Sequence, residues 1–356
     1  FAYRGTSPDI RQVGIDLGVR YVVEGSVRKE GKRVRISAQL INAQNSSHVW
    51  AERYDRELED IFAVQDEITE RIVAAIELEV SEAERERARR KATENLDAWE
   101  CYQRGTWHLY HATAEEIMEA RRQYFRAAEL DPTFASAWAA VAYSHCLDLQ
   151  YGYAKDPRQS ALQALEIGRK AVALDDKDPM AHFGLGRALV MINDYEAAIA
   201  ELNLAIALNP NFAHAYHILG LALVWANRGD ETLAAEDRAE RLSPRDPFLW
   251  GIYNIRVVAR IQLGHYEAAV ADARFACRQP AARYWAFVNF AAVLGHLGRT
   301  QEAKDIYRKV LEMRPDFSAA TVMAEHAPLN PSHRTQYMER MWQGLAKAGL
   351  VEPDAL

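Results

Sequence analysis

Cysteine is scarce in this 356-residue chain: there are three, Cys101, Cys146 and Cys277. They lie far apart and are odd in number, so neither a disulfide framework nor a zinc pattern can be built from them. Small buried thiols on helices, in a reducing compartment, account for such a set. An excess of positive charge is also missing. The formal net charge of -7 excludes a global basic field drawing the chain to nucleic acid or to an anionic membrane. Long hydrophobic runs are absent too. The longest, Ile218 to Ala226, falls far short of the roughly 18 residues that a membrane span needs. No leader segment is read at the start, where Phe rather than Met stands at position 1. The chain is therefore expected to be a piece of a longer protein.

The usual marks of catalysis are lacking. There is no Gly-x-Ser-x-Gly, no His-Glu-x-x-His and no Cys-x-x-Cys. The stretch "GSVRKEGK" superficially suggests a phosphate loop, but Arg33 stands where Ser or Thr should hold magnesium, and the segment reads as strand. "GLGRAL" at Gly184 lacks the third glycine of a dinucleotide fingerprint, and close helix packing explains it. His214 and His217 are spaced to share a helix face, yet no further ligands are placed beside them. No metal, cofactor or catalytic residue is expected in this chain.

What is present is periodicity. In "DPMAHFGLGRALVMINDYEAAIAELNLAIALNP" apolar residues recur at three and four: Leu185, Leu189, Ile192, then Ile199, Leu202, Ile206. Asn193 suits the left-handed end of the first helix, and Asn209-Pro210 closes the second. Gly186 and Gly220 are 34 residues apart, as are Pro210 and Pro244. A repeat of that length built of two helices resembles the tetratricopeptide pattern. Gly186 and Ala198 would let the paired helices approach, with Tyr195 filling space beside the turn. Worn copies begin at Ala98, Ala137, Pro247 and Tyr284. The segment "HRTQYMERMWQGLAKAGL" reads as a solvating helix for the open edge of the array.

Before Ala98 the period is two. Val34, Ile36, Ala38 and Leu40 alternate with Arg33, Arg35, Ser37 and Gln39, giving one apolar and one solvated strand face. "KEGK" reads as the turn before them, and "HVWAERY" as a third strand. Upstream, a short helix is expected with Ser7 as N-cap, Pro8 in its first turn and Gly18 at its end. From Glu59 a long helix is expected, with Ile61, Val64, Ile68, Ile72, Ile76 and Val80 as its apolar stripe and Glu86 and Arg90 paired on its tail. Two strands and a helix make a poor core, so this part is expected to be a truncated piece of a larger α/β unit.

The run "LGVRYVVEGSVRKEGKRVRISAQLINAQNSSHVWAERYDRELEDIFAVQDEIT" resembles the TolB-like segment of bacterial signalling proteins, which tetratricopeptide repeats follow. The resemblance spans about Phe1 to Ile76, and the repeats continue it to about Phe317. Two families carry this pair. One is the class III adenylate/guanylate cyclases, with the catalytic domain in front; the other is membrane-anchored transcriptional regulators, with a winged helix in front. The ending "GLAKAGL" resembles the cyclase versions. The resemblance implies a non-catalytic regulatory region, cytoplasmic in a cyclase and periplasmic in a transmembrane regulator. A free-standing repeat scaffold is the remaining alternative.

The expected architecture is mostly α: a tetratricopeptide superhelix of about six helix pairs plus an end helix, preceded by a small truncated α/β domain. Its boundaries are 1–80 for the partial TolB-like domain, 81–97 for a helical connection, 98–320 for the repeats and 321–356 for the solvating helix and tail. First helices of such arrays line a concave groove. In this register the groove includes Tyr102, Tyr143, Arg187, His214, His217, Leu221 and Trp285. Aromatic and imidazole side chains there suit a protein or peptide partner. The Lys/Asn clamp for a C-terminal carboxylate is not visible. Direct nucleic-acid binding and membrane insertion are not expected, and the sequence leaves a homodimer open.

Overall fold

Gly18, with φ +65°, ends the first helix, α1 (Ile10–Leu17), in the left-handed conformation the sequence implied. The start differs. Asp9, not Ser7, is the N-cap, its carboxylate accepting from the Arg11 N–H at 2.9 Å. In this computed structural model the described residues are 9–30, 33–57, Ile72, Val73, Ile76, Val80, 97–111, 113–244, 246, 248–279, 281–318, 320–321 and 336–352. Ser7, Pro8, Gly31, Lys32, Ile61, Val64, Ile68, Glu86 and Arg90 fall outside that set. The chain divides into two units, Phe1–Leu96 and Asp97–Leu356.

In the first unit α1 precedes an antiparallel meander of β1 (Tyr21–Glu30), β2 (Arg33–Asn42) and β3 (Ser47–Glu57), in the order β1-β2-β3. Pairing sets Val23 opposite Leu40 and Leu40 opposite Trp50, with a bulge where β2 passes from Leu40 to Ile41. The alternation read in β2 holds: Val34, Ala38 and Leu40 are buried while Arg33 and Arg35 are exposed. Arg35 pairs with Asp55 across the strands at 2.6 Å. Ala38, Leu40, Trp50 and Tyr54 form a small core against which Ile72, Ile76 and Val80 pack, so the described part of the apolar stripe covers this face. Val23 and Val27, on edge strand β1, stay exposed.

The second unit is a series of helix pairs. They are α2 (Ala98–Leu109) with α3 (Ala114–Leu130), α4 (Ala135–Gln150) with α5 (Pro157–Leu174), and α6 (Pro179–Met191) with α7 (Tyr195–Leu208). Then follow α8 (Ala213–Trp225) with α9 (Gly229–Leu242), α10 (Leu249–Leu263) with α11 (Tyr266–Arg278), and α12 (Tyr284–His296) with α13 (Thr300–Met313). A last helix, α14 (Gln336–Lys347), follows. Side chains cap the starts: Asp97, Thr113, Asp156, Asp178 and Asp194 each accept a backbone N–H of the first turn. Within pairs three to six the turn carries a left-handed residue, Asn193, Asn227, Gly264 and Gly298 in succession. Gly186 is required by packing, since a Cβ there would stand 2.7 Å from Leu202 Cγ.

The end helix is not where the sequence reading put it. α14 packs along α12 and α10, not along α13 at the open edge. Its Tyr337, Met338, Met341, Trp342 and Leu345 are buried in the core of the second half. Two glycines permit this: a Cβ on Gly295 of α12 would come within 1.9 Å of the Gly344 carbonyl oxygen. Polar contacts hold the register. Tyr337 donates to Asn289 Oδ1 at 2.7 Å, Asn289 donates to Asn254 at 2.9 Å, and Arg340 donates to the Gln262 carbonyl at 2.7 Å. The segment reads in sequence as a solvating helix for the open edge, but its apolar side chains meet the inner helices instead.

Candidate inner-face site

The inner helices curve until distant pairs touch. Tyr110, at the end of α2, stacks on Phe248, just before α10, with ring centroids 5.9 Å apart, and lies 6.4 Å from His214 on α8. Arg283 sits 4.5 Å over the Tyr151 ring, joining the start of α12 to the end of α4. With α14 along α10 and α12, much of the inner face is covered by the chain itself.

A polar depression remains at the centre. It encloses about 330 Å³, open solvent included, between Tyr143, Gln150 and Tyr151 of the second pair, His214 and His217 of the fourth, and Phe248 with Trp250 of the fifth. An adjoining hollow of about 190 Å³ shares His214, His217 and Phe248 and reaches Asp246.

Of the seven residues expected in the groove, Tyr143, His214 and His217 line this depression, and Arg187 stands beside it. Tyr143 is buried with its ring edge-on to Phe183 at 5.2 Å. Burial pushes its hydroxyl well above the usual range, and the nearby Arg187 charge opposes that. Arg187 is 1% exposed and donates through Nη2 to Gln150 Oε1 at 2.5 Å; its Nε and Nη1 have no hydrogen-bond partner. His214 Nε2 is 3.9 Å from Asp246 Oδ2.

His217 Nδ1 lies 3.0 Å from Glu236 Oε2. Burial lowers the affinity of His217 for its proton, but the Glu236 charge and hydrogen bond outweigh it, so its pKa is raised. Burial also pushes Glu236 up to about 7, against the pull of His217. The other ring edge of His217 faces Gly251, where a Cβ would be 3.3 Å from Nε2.

The other three expected residues are elsewhere. Tyr102 belongs to an aromatic cluster with Trp99 and Phe134 at the start of the array, centroids 5.6 and 5.3 Å away. Leu221 is half-buried between the two halves of the core. Trp285 packs on Tyr284 and Phe317 near the last pair. Sequence reasoning missed Gln150, Asp246, Phe248 and Glu236. For Glu236 the signal existed: one period earlier stands the buried Leu202. For the loop residue Asp246 and for Phe248, which only curvature brings inward, there was none.

Among the described residues no three His, Cys, Asp or Glu side chains are grouped to hold a metal ion, and no helix is long and apolar enough to cross a membrane. Cys101 and Cys146 are buried free thiols, and burial pushes Cys146 up to about 12.

Comparison with known proteins bears out the repeats. Residues 186–224 match the family model "TPR repeat" and residues 286–317 match "Tetratricopeptide repeat". The chain contains tetratricopeptide repeats. It is similar to "Putative adenylate cyclase 3" of Rhizobium meliloti (strain 1021), with 41% identity over 189 residues, 53% of this chain and 32% of that protein. It is also similar to "Peroxisomal targeting signal receptor" of Eremothecium gossypii, 32% identical over 101 residues, 28% of this chain and 17% of that one. The matched regions thus span about a third or less of these curated relatives. Among solved structures, the crystal structure of the APC/C hetero-tetramer Cut9-Hcn1 aligns with a TM-score of 0.53 at 18% identity, covering 64% of this chain and 42% of that one. That likeness concerns the fold alone.

Proposed function

We propose that this chain is a non-catalytic regulatory and protein-interaction region of a bacterial signalling protein of the class III adenylate cyclase type. The observation that carries the reading is the 41% identity to a protein named as a putative adenylate cyclase, over a third of that protein's length. In this reading the front α/β unit is a partial TolB-like domain and the parent works in the cytoplasm. A partner protein docks on the helical array. Since α14 and the Tyr110–Phe248 contact cover much of the inner face, the partner enters at the mouth near Tyr143 and His214 with a short segment.

The test is cyclic-nucleotide synthesis by the parent, measured with and without residues 97–356, together with the encoding frame upstream of Phe1. An upstream domain bearing paired metal-binding aspartates, and an output that changes on deletion, would support the reading. A winged helix in that place would sink it in favour of a transcriptional regulator.

A further inference from the structure

Large apolar side chains are unevenly exposed in the first unit. Five stand open among its described residues, and four of these follow one another along a single stretch. Ile15 on α1 and Val19 in the link lead into β1, where Val23 is 49% and Val27 69% exposed; the fifth is Val73. Val23 pairs with Leu40 and Val27 with Ile36, so both valines lie on the face that holds the small core. Ile72, Ile76 and Val80 close that face over Ala38, Leu40, Trp50 and Tyr54. The column along β1 is left open.

β1 is also an edge: among the described residues no strand pairs with its outer side. The two edges of the sheet differ. β3 exposes Glu52, Arg53 and Asp55, and a bulge breaks its pairing with β2. Charges and bulges of that kind discourage the addition of another strand. β1 has no such break: it pairs with β2 without interruption over ten residues and contains no proline.

What fits that edge is β1 itself. Turned about a two-fold axis through Gly25, an antiparallel second β1 sets Val23 opposite Val27, Val27 opposite Val23, and Gly25 opposite its own copy. On the reverse face Val22 meets Arg28 and Glu24 meets Ser26, so no charge is set directly against its like. A slip of one residue would turn each copy's valines onto the other's polar face. A slip of two would separate the valines.

We propose that two copies of this chain join edge to edge through β1, making one six-stranded antiparallel sheet with Val23 and Val27 paired across the two-fold axis. The contact is isologous and uses up both β1 edges, so it closes at two copies. This inference does not depend on the parent being a cyclase.

The experiment uses the full chain across the micromolar range, with mass measured by sedimentation equilibrium and amide exchange of residues 21–30 read by mass spectrometry. A monomer–dimer equilibrium is expected, with exchange in 21–30 slowing as the dimer fills. Val23→Lys and Val27→Glu each set a charge opposite a valine twice per dimer, and each should raise the dissociation constant about tenfold or more. Combined in one chain, the two changes set an ammonium opposite a carboxylate on both sides of the axis, and most of the loss should be recovered. Both positions are exposed, so the variants are expected to fold. Recovery in the double variant reports on the pairing even if each single change weakens the sheet. A chain that stays monomeric throughout overturns the proposal, and slow exchange of 21–30 in that monomer would assign the edge to another segment of the same chain. A dimer indifferent to both single changes overturns it too, as does a double variant no tighter than the single ones.

Discussion

Glu236 holds His217 at 3.0 Å in the place where, one helix pair earlier, Leu202 and Phe183 make apolar core. The two positions in each pair are related by the same 34-residue step. The backbones offer similar niches: a Cβ on Gly186 would meet Leu202 Cγ at 2.7 Å, and one on Gly220 would meet Glu236 Oε1 at 2.5 Å. An ion pair has thus replaced a hydrocarbon pair in an otherwise repeated frame.

Breaking that pair should be worse than replacing it. Glu236→Ala leaves a buried imidazole without its counter-charge and should cost about 3–5 kcal/mol. The double change His217→Phe with Glu236→Leu restores the preceding pair's chemistry. It should be neutral or gain about 1–4 kcal/mol in urea unfolding. A double variant as weak as Glu236→Ala would show that the pair is required for the fold itself.

The same pair gives a pH signature. His217 is raised above 6.5 and Glu236 is raised from 4.5 to about 7, so the native state holds protons that the unfolded chain has released. Their contribution is complete at low pH and is lost as pH rises through the raised values. The unfolding free energy of the parent sequence should therefore fall between pH 5 and 8 relative to the Phe/Leu double variant. A flat difference across that window would count against the burial of the pair.

Gly344→Ala should dislodge α14. A Cβ at Gly344 would stand 2.3 Å from the Ala292 carbonyl oxygen, which is backbone and cannot swing aside. The strain is roughly 3 kcal/mol or more, at the upper end for overpacked cores. It should appear as faster amide exchange in 336–347 and a red-shifted Trp342 emission, with the first three helix pairs unchanged.

Tyr337→Phe keeps the ring in its pocket but leaves Asn289 Oδ1 without the 2.7 Å donor it has now. Loss of one partner in a buried polar chain should cost about 1–3 kcal/mol. Asn254→Ala, at the other end of the chain, should not add its full effect on top, which a double-mutant cycle would reveal.

In the front unit, Leu40→Ala removes the most buried side chain of the small core, 1% exposed, and should cost about 2–5 kcal/mol. The loss should be read as weakened exchange protection of β1, β2 and β3, while the helical pairs keep theirs.

The helix pairs were legible because their period is long and repeated, and because Asn193 and Gly186 have few structural alternatives. The three-stranded sheet was legible from the alternation in 33–40 and from the apolar residues of "HVWAERY". The seat of α14 was not, since an amphipathic pattern tells which side of a helix is dry but not what dries it. Its pointer was Gly344, a glycine in mid-helix that only a close neighbour explains. At the site, Tyr143, Arg187, His214 and His217 came out near one another because repeat register alone puts such positions on the inner face. Tyr102 and Trp285 share that register, but they belong to the first and the sixth helix pair and lie at opposite ends of the array. Glu236 escaped because a glutamate on a helix is read by default as solvated.

The placement of α14 bears on the order in which the protein can be completed. Trp225, Asn254, Asn289 and Gly295 all lie far upstream of the helix that covers them. During synthesis they leave the ribosome before it, and their apolar surroundings stay wet until residues 336–347 emerge. The first helix pairs can consolidate as they are translated, but the later ones must wait for α14. A product lacking α14 would therefore keep an open, sticky second half, the kind of surface that chaperones and proteases recognise.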